Sequence, residues 1–282
     1  MTIKIHAIQT GIVQIKDVQL GSKTSRLPQP LNLLFDGEWV DWVPIYAWLI
    51  EHPEGLFVVD TGETARTSEK GYFPRWQPYY KMAVRFNVQP ADEIGPQLAK
   101  LGIDSKDITA VILTHLHTDH AGGLHHFPNS DIWGHPDEFK AGQGFAGKVA
   151  GYLPHRWPEW FAPKSVQLQP EPLGPFATSQ PITKDGAIRI ISTPGHTENH
   201  LSIVVQSQGI SYFLAGDTSY NQEMMLAGKG DGVGTAVSLA TIRKIQQFTQ
   251  DTPTVYLPAH DPQSAHRLQN KQVVGKKQPI HA

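Results

Sequence analysis

The sequence predicts an α/β fold on three observations. Short β-branched runs alternate with stretches in which apolar residues recur at helical spacing. The 282 residues are enough to bury a full core in one compact unit. Residues of metal-ligand type fall at the exits of strand-like runs in both halves of the chain. Residues 1–282 are therefore read as one domain, with the polar stretch 268–282 as a frayed tail. No solenoid-type repeat is visible, although two strand-rich halves are compatible with an old duplication.

Composition excludes several function classes. Lys and Arg number 24 against 26 Asp and Glu, a formal charge of -2 with no block of like charges, so nucleic acid is not an expected partner. No apolar run approaches the roughly 18 residues of a membrane span, and Pro44 breaks the longest, Trp42 to Ile50. The start alternates like a strand and lacks the apolar centre of a signal peptide, which makes a cytoplasmic location the default expectation. Without cysteine there is no disulfide, thiolate nucleophile or sulfur ligand, so any metal site must use His, Asp and Glu.

Taken in order, residues 3–15 alternate as one or two strands. Residues 18–43 have no period and contain Pro28 and Pro30, yet they hold Leu20, Leu31, Leu33, Leu34, Phe35, Trp39 and Trp42. An apolar loop of this length packs in the core or walls a substrate pocket. Ile45 to Glu51 and Leu56 to Asp60 read as a hairpin. Asp60 at its end is either turn chemistry or the acceptor for the second ring N–H of a metal-bound His. Residues 64–90 interleave aromatics with Lys70, Arg75, Lys81 and Arg85, and read as a core-and-rim segment beside the pocket. Ile94, Leu98 and Leu101 mark one helical face, closed by Gly102.

Ile108 to Leu113 reads as a buried strand and leads into Thr114-His115-Leu116-His117-Thr118-Asp119-His120-Ala121-Gly122-Gly123, whose glycines suit a tight turn before a short helix. Three His and one Asp within six residues can converge on metal from both sides of the turn. Solvated loop histidines would have to account for all four and for three later ligand-type residues as well. Residues 131–134 read as a strand, Pro136 opens a helix, and residues 142–170 are irregular, with Tyr152, His155, Trp157, Trp160 and Phe161 forming a second aromatic loop. The three candidates for the substrate wall are Trp42, His155 and Trp157.

In the second half, strands near 187–192, 201–205 and 210–215 bracket His196 and end at Asp217-Thr218-Ser219-Tyr220. A helix from 235 to 250 carries Leu239, Ile242, Ile245 and Phe248 on one stripe, and a strand at 254–257 leads into His260. Imidazole and carboxylate donors without sulfur suit Zn²⁺ best, with Mn²⁺, Fe²⁺ and Co²⁺ open.

The ordered set His115, His117, Asp119, His120, His196, Asp217 and His260 resembles the metallo-β-lactamase superfamily over about residues 45–261. The resemblance implies an αββα sandwich, two face-packed sheets flanked by helices. It further implies that His115, His117 and His196 hold one divalent ion and Asp119, His120 and His260 a second, with Asp217 and a hydroxide bridging them. Two ions at +4, two carboxylates and one hydroxide leave +1, which suits a reaction developing one negative charge on oxygen.

Within the superfamily, the missing Cys ligand argues against the commonest lactamases, His117 stands where flavodiiron relatives have Glu, and the basic surface of RNA-processing members is absent. Two enzyme readings remain: N-acyl homoserine lactone lactonases, and thioesterases of the glyoxalase II type or other small-ester hydrolases. A metal-binding interaction module without catalysis is the non-enzyme alternative. Tyr220, three residues after Asp217, resembles the lactonases, where a phenol can donate to the nascent oxyanion. Asp119 would assist departure of the alkoxide, and His200 reads as structural. Thr118 departs from the aromatic residue many lactonases carry there. The 76-residue step from His120 to His196 resembles the longer, often dimeric lactonases, so a homodimer stays open.

Overall fold

The computed structural model describes residues 3–20, 31–230 and 235–275; Pro28, Pro30 and the end of the expected tail, 276–282, lie outside the described residues. Its strands are β1 (Lys4–Ile15), β2 (Val43–His52), β3 (Gly55–Val59), β4 (Val84–Asn87), β5 (Ile108–Ile112), β6 (Asp131–Gly134), β7 (Lys164–Ser165), β8 (Ser179–Pro181), β9 (Ile188–Ser192), β10 (Leu201–Ser207), β11 (Ile210–Gly216) and β12 (Thr254–Pro258). They form two sheets, in the orders β4-β1-β2-β3-β5-β6-β7 and β12-β11-β10-β9-β8.

The sheets face each other because their strands are apolar on both sides with period two. Trp48 and Ile50 of β2, Ala110 and Ile112 of β5, Ile203 and Val205 of β10, and Leu214 of β11 meet in the central core. The alternate residues Ala47, Leu49 and Val111 face outward onto Ile94 and Leu98 of the helix Ile94–Lys100. On the other outer face, Val204, Phe213 and Tyr256 receive Ile242, Ile245 and Phe248 of the helix Ala236–Asp251, whose cap Thr235 accepts from the Ser238 amide. Burying each such side chain contributes roughly 1.5 to 3 kcal/mol, which is what fixes the layer order. The result is an α/β sandwich of two sheets between helices, as expected.

Several boundaries differ from the sequence reading. Residues 142–170 are not wholly irregular: they hold the helix Phe145–Val149 and β7. Gly144 and Gly147 in that stretch mask the helical signal. The tail does not fray from 268, since a helix Ser264–Gln269 packs on β12 and the Val274 amide donates to Thr254 O at 2.8 Å. The short helix of the metal motif, Thr118–Ala121, precedes the two glycines instead of following them. Gly122 has helical φ, so neither turn strain nor handedness explains it; a Cβ there would lie 2.6 Å from Thr118 O, and one at Gly123 2.3 Å from Thr61 O. The glycines are there for close packing.

Strand direction places the site. β3 runs parallel to β5, and β11 parallel to β12, while β9 and β11 each lie antiparallel to β10 and so share a direction. The carboxyl ends of β5, β9, β11 and β12 therefore supply one edge of the sandwich. Two backbone bonds tie the sheets together there, Leu201 N–H to Thr114 O at 2.9 Å and Tyr46 N–H to Ala259 O at 3.0 Å.

Candidate metal centre

The motif converges because its backbone changes period partway. His115 lies just beyond the end of β5 at Ile112, and His117 (φ -65°, ψ 158°) precedes the helical turn that swings Asp119 and His120 back toward it. His196 follows β9, Asp217 follows β11 and His260 follows β12.

Six of these seven residues form two trios, and Asp217 links them. His115 Nε2 lies 3.1 Å from His117 Nδ1, which is 2.9 Å from His196 Nε2. Across the site, Asp119 Oδ2 is 3.4 Å from His260 Nε2, with His120 completing that group. Asp217 stands between them, its Oδ2 3.6 Å from His196 Nε2 and 3.4 Å from His260 Nε2, its Oδ1 3.3 Å from His120 Nε2.

The donor set fits divalent ions on two observations. His120 Nε2 and Asp217 Oδ1 are buried, close, and yet lack a hydrogen-bond partner among the described residues. Such orphaned groups cost about 1 to 3 kcal/mol each unless something else satisfies them. His115 and His117 point ring nitrogens at one another and at His196, and burial together with neighbouring imidazoles holds both well below the usual His range. Neutral imidazoles with converging lone pairs are what a cation requires.

A surrounding layer orients these side chains. Asp60, buried with φ 57°, accepts from the Thr114 amide and lies 2.8 Å from His120 Nδ1. Thr114 Oγ1 is also 3.1 Å from His115 Nδ1. His260 Nδ1 donates to Pro44 O at 2.9 Å. Burial opposes the charged form of His120 and His260, but Asp217, with Asp60 at the first and Asp119 at the second, raises both above the ordinary value. Asp217 is likewise opposed by burial, yet His260 and His120 hold it well below the carboxylate range. His200 joins neither trio: its Nε2 accepts from the Asp217 amide at 3.1 Å, and burial beside His196 pushes it down to about 3.

A cavity of about 710 Å³ opens onto the centre. Tyr220 lines it with its ring 5.9 Å from that of His260, and His117, Asp119, His196, Asp217 and His260 line the same end. Trp42, His155 and Trp157 are not in its wall, a correction to the expected substrate surface. Trp42 is 41% exposed, His155 is exposed, and Trp157 stacks on Phe139 at 5.5 Å and edges onto Phe161. The first apolar loop supplies Gln19 and Leu34 to the wall and the second supplies Ala146, Gly147 and residues 149–152; the rest comes chiefly from β1, residues 76–86 and residues 195–199. Sequence reasoning missed Thr114, although it adjoins His115, and the pair Tyr152–Glu138, whose 2.6 Å bond sets Tyr152 against the His117 ring. Only a folded backbone brings those two together.

Known proteins are similar to this chain in sequence and fold. The family model for the metallo-β-lactamase superfamily matches residues 40–260. An N-acyl homoserine lactonase of Bacillus sp. is 26% identical over 82% of this chain and 86% of its own. A probable metallo-hydrolase of Mycobacterium tuberculosis is 28% identical over 62% of this chain and 56% of its own. Among solved structures, an N-acyl homoserine lactone hydrolase with the product N-hexanoyl-L-homoserine bound at its metal centre superposes with TM-score 0.75 at 20% identity, over 98% of this chain and 99% of the other. A dizinc quorum-quenching lactonase superposes with TM-score 0.58 at 16% identity, over 92% and 88%. With the family match spanning most of its length, this chain belongs to the metallo-β-lactamase superfamily and is a metal-dependent hydrolase.

Proposed function

We propose that the chain opens the lactone ring of N-acyl homoserine lactones, using two divalent ions, Zn²⁺ being the best match to N and O donors. The observation that carries this reading is the cavity. Its metal end is polar, whereas Val13, Ile15, Leu34, Val84, Phe86 and Val149 make the remainder apolar. Among the described residues lining it there is no Lys or Arg. A small ester head with an aliphatic tail fits such a wall; the carboxylates of a glutathione thioester would find no cation there. The similarity to the Bacillus lactonase points the same way.

When bound, divalent ions supply Lewis acidity and bring the ionisation of water toward neutral pH. The protein's own residues do the rest. His115, His117 and His196 would hold one ion, Asp119, His120 and His260 the other, and Asp217 both. The apolar wall holds the acyl chain and keeps bulk water from the reacting ester. Tyr220, at the cavity's metal end, donates its phenolic proton in a hydrogen bond to the carbonyl oxygen as charge develops there. Asp119, at 16% side-chain exposure against 7% for Asp217, is the more open of these two carboxylates and would accept the proton released by the attacking water and return it to the departing ring alkoxide. The test is kcat for lactone opening and thioester cleavage, wild type against Tyr220→Phe, with metal content measured in each. Loss of about 10² to 10³ in lactone kcat at constant metal is expected. Unchanged lactone kcat, or thioester cleavage far exceeding lactone opening, would overturn it.

A further inference from the structure

Outside the cavity, a third group of metal-ligand side chains converges. Glu93 immediately precedes the helix Ile94–Lys100, while His125 and His126 sit on the 3₁₀ turn Leu124–His126 that follows the metal motif. Both imidazoles aim Nε2 at one carboxylate oxygen: Glu93 Oε2 is 3.1 Å from His125 and 2.8 Å from His126. The rings lie 4.1 Å apart, and the His126 ring can occupy its place because residue 95 is glycine, where a Cβ would fall 2.5 Å from His126 Nδ1. The other carboxylate oxygen is already engaged, accepting from the Ala65 amide at 2.9 Å and Thr64 Oγ1 at 3.1 Å.

The hydrogen-bond pattern of His125 marks this group as unusual. Its Nδ1 faces the Gly122 carbonyl at 3.3 Å and its Nε2 faces a carboxylate, so acceptors stand on both sides of a ring that carries one proton when neutral. Nδ1–H to a backbone carbonyl with Nε2 turned to a cation is the arrangement typical of a metal-bound His. The trio His52, Glu54 and Asp185 looks similar in composition but resolves itself without a cation. There the Glu54 amide donates to His52 Nδ1 at 3.1 Å, leaving Nε2–H to donate to Asp185 at 3.0 Å. The spacing at Glu93 also matches the contracted 2.9 to 3.1 Å of His115, His117 and His196. An ion with ligands at about 2.1 Å needs only a few tenths of an ångström of spreading in either place.

We propose that Glu93, His125 and His126 form a further site for one divalent transition-metal ion of the Zn²⁺ class, separate from the dinuclear centre. Three protein donors leave a fourth position for water, and His125, at 46% side-chain exposure, gives the ion its path from solvent. Burial beside His125 lowers the pKa of His126, which keeps its lone pair available. The ion ties the loop at Thr64 and Ala65 to the end of the metal motif, where Thr61 already donates from its amide and hydroxyl to His120 O at 2.7 and 2.9 Å.

The experiment compares wild type with His125→Ala and Glu93→Gln at a buffered free Zn²⁺ of about ten micromolar, reading ions per chain and Tm with and without the metal. Wild type should hold one more ion than either variant, and its Tm should rise further with zinc, while lactone hydrolysis stays the same in His125→Ala. Because the count is a difference between proteins sharing one catalytic centre, it does not depend on how many ions that centre holds. Equal zinc content and an equal Tm response in wild type and His125→Ala would overturn the site and leave a plain carboxylate–histidine contact.

Discussion

Asp60→Asn tests the arrangement that sets the His120 tautomer. The Asp60 carboxylate takes the Thr114 amide and hydroxyl on one side and stands 2.8 Å from His120 Nδ1 on the other, all of it buried. With Nδ1–H directed to the carboxylate, Nε2 presents its lone pair toward Asp217 and the second trio. An amide of the same shape has one oxygen. If that oxygen keeps the Thr114 N–H, the NH₂ faces His120 Nδ1 and forces the proton onto Nε2, where a ligand cannot carry it. If the amide flips, two N–H groups confront each other at Thr114, costing about 1 to 3 kcal/mol. Either way the ion held by Asp119, His120 and His260 should bind about 10- to 100-fold more weakly, or about 1.4 to 2.7 kcal/mol. The ion at His115, His117 and His196 should change less. Competition with a chromophoric chelator resolves the two affinities. If Asp60→Asn binds both ions within twofold of wild type, the tautomer argument fails.

Three further outcomes are expected. Metal-replete protein should contain two ions at the dinuclear centre, and Asp217→Asn should weaken both together, checked by elemental analysis of a His125→Ala background; selective loss of one ion would mean that Asp217 does not bridge. Trp157→Ala should lower stability by somewhat less than the about 3 to 5 kcal/mol of a fully buried Trp while changing KM equally for long and short acyl chains; Phe86→Ala, in the cavity wall, should penalise long chains selectively, at about 0.8 kcal/mol per lost CH₂ contact. In metal-free protein, His200 stays neutral down to about 3 while the unfolded chain takes a proton near 6.5, so stability falls as pH drops through that window. His200→Gln should flatten the profile by about one proton's worth of slope, measured as urea midpoints between pH 7.5 and 4.5; an unchanged slope would refute the assignment.

The sequence by itself determined what is local. Strand exits carrying His115, Asp217 and His260 were legible because a buried strand is a short apolar run and a ligand just beyond it needs no knowledge of the rest. The apolar stripe from Ile242 to Phe248 likewise has the same spacing in the sequence and in the helix. Asp60 was legible only as an alternative, since what it accepts from lies 54 and 60 residues away.

What only the tertiary structure decided depends on which surfaces meet. An aromatic side chain gains similar free energy from a cavity wall or from another ring, so nothing in the sequence distinguishes Trp157, which found Phe139 and Phe161, from Phe86 and Tyr79, which line the cavity. Gly122 and Gly123 read as turn residues, whereas packing against Thr118, Glu63 and Thr61 is what requires them. The cluster at Glu93 was invisible for the same reason: its carboxylate is more than thirty residues from the histidines, and the edge of the sandwich had to close before they shared an oxygen.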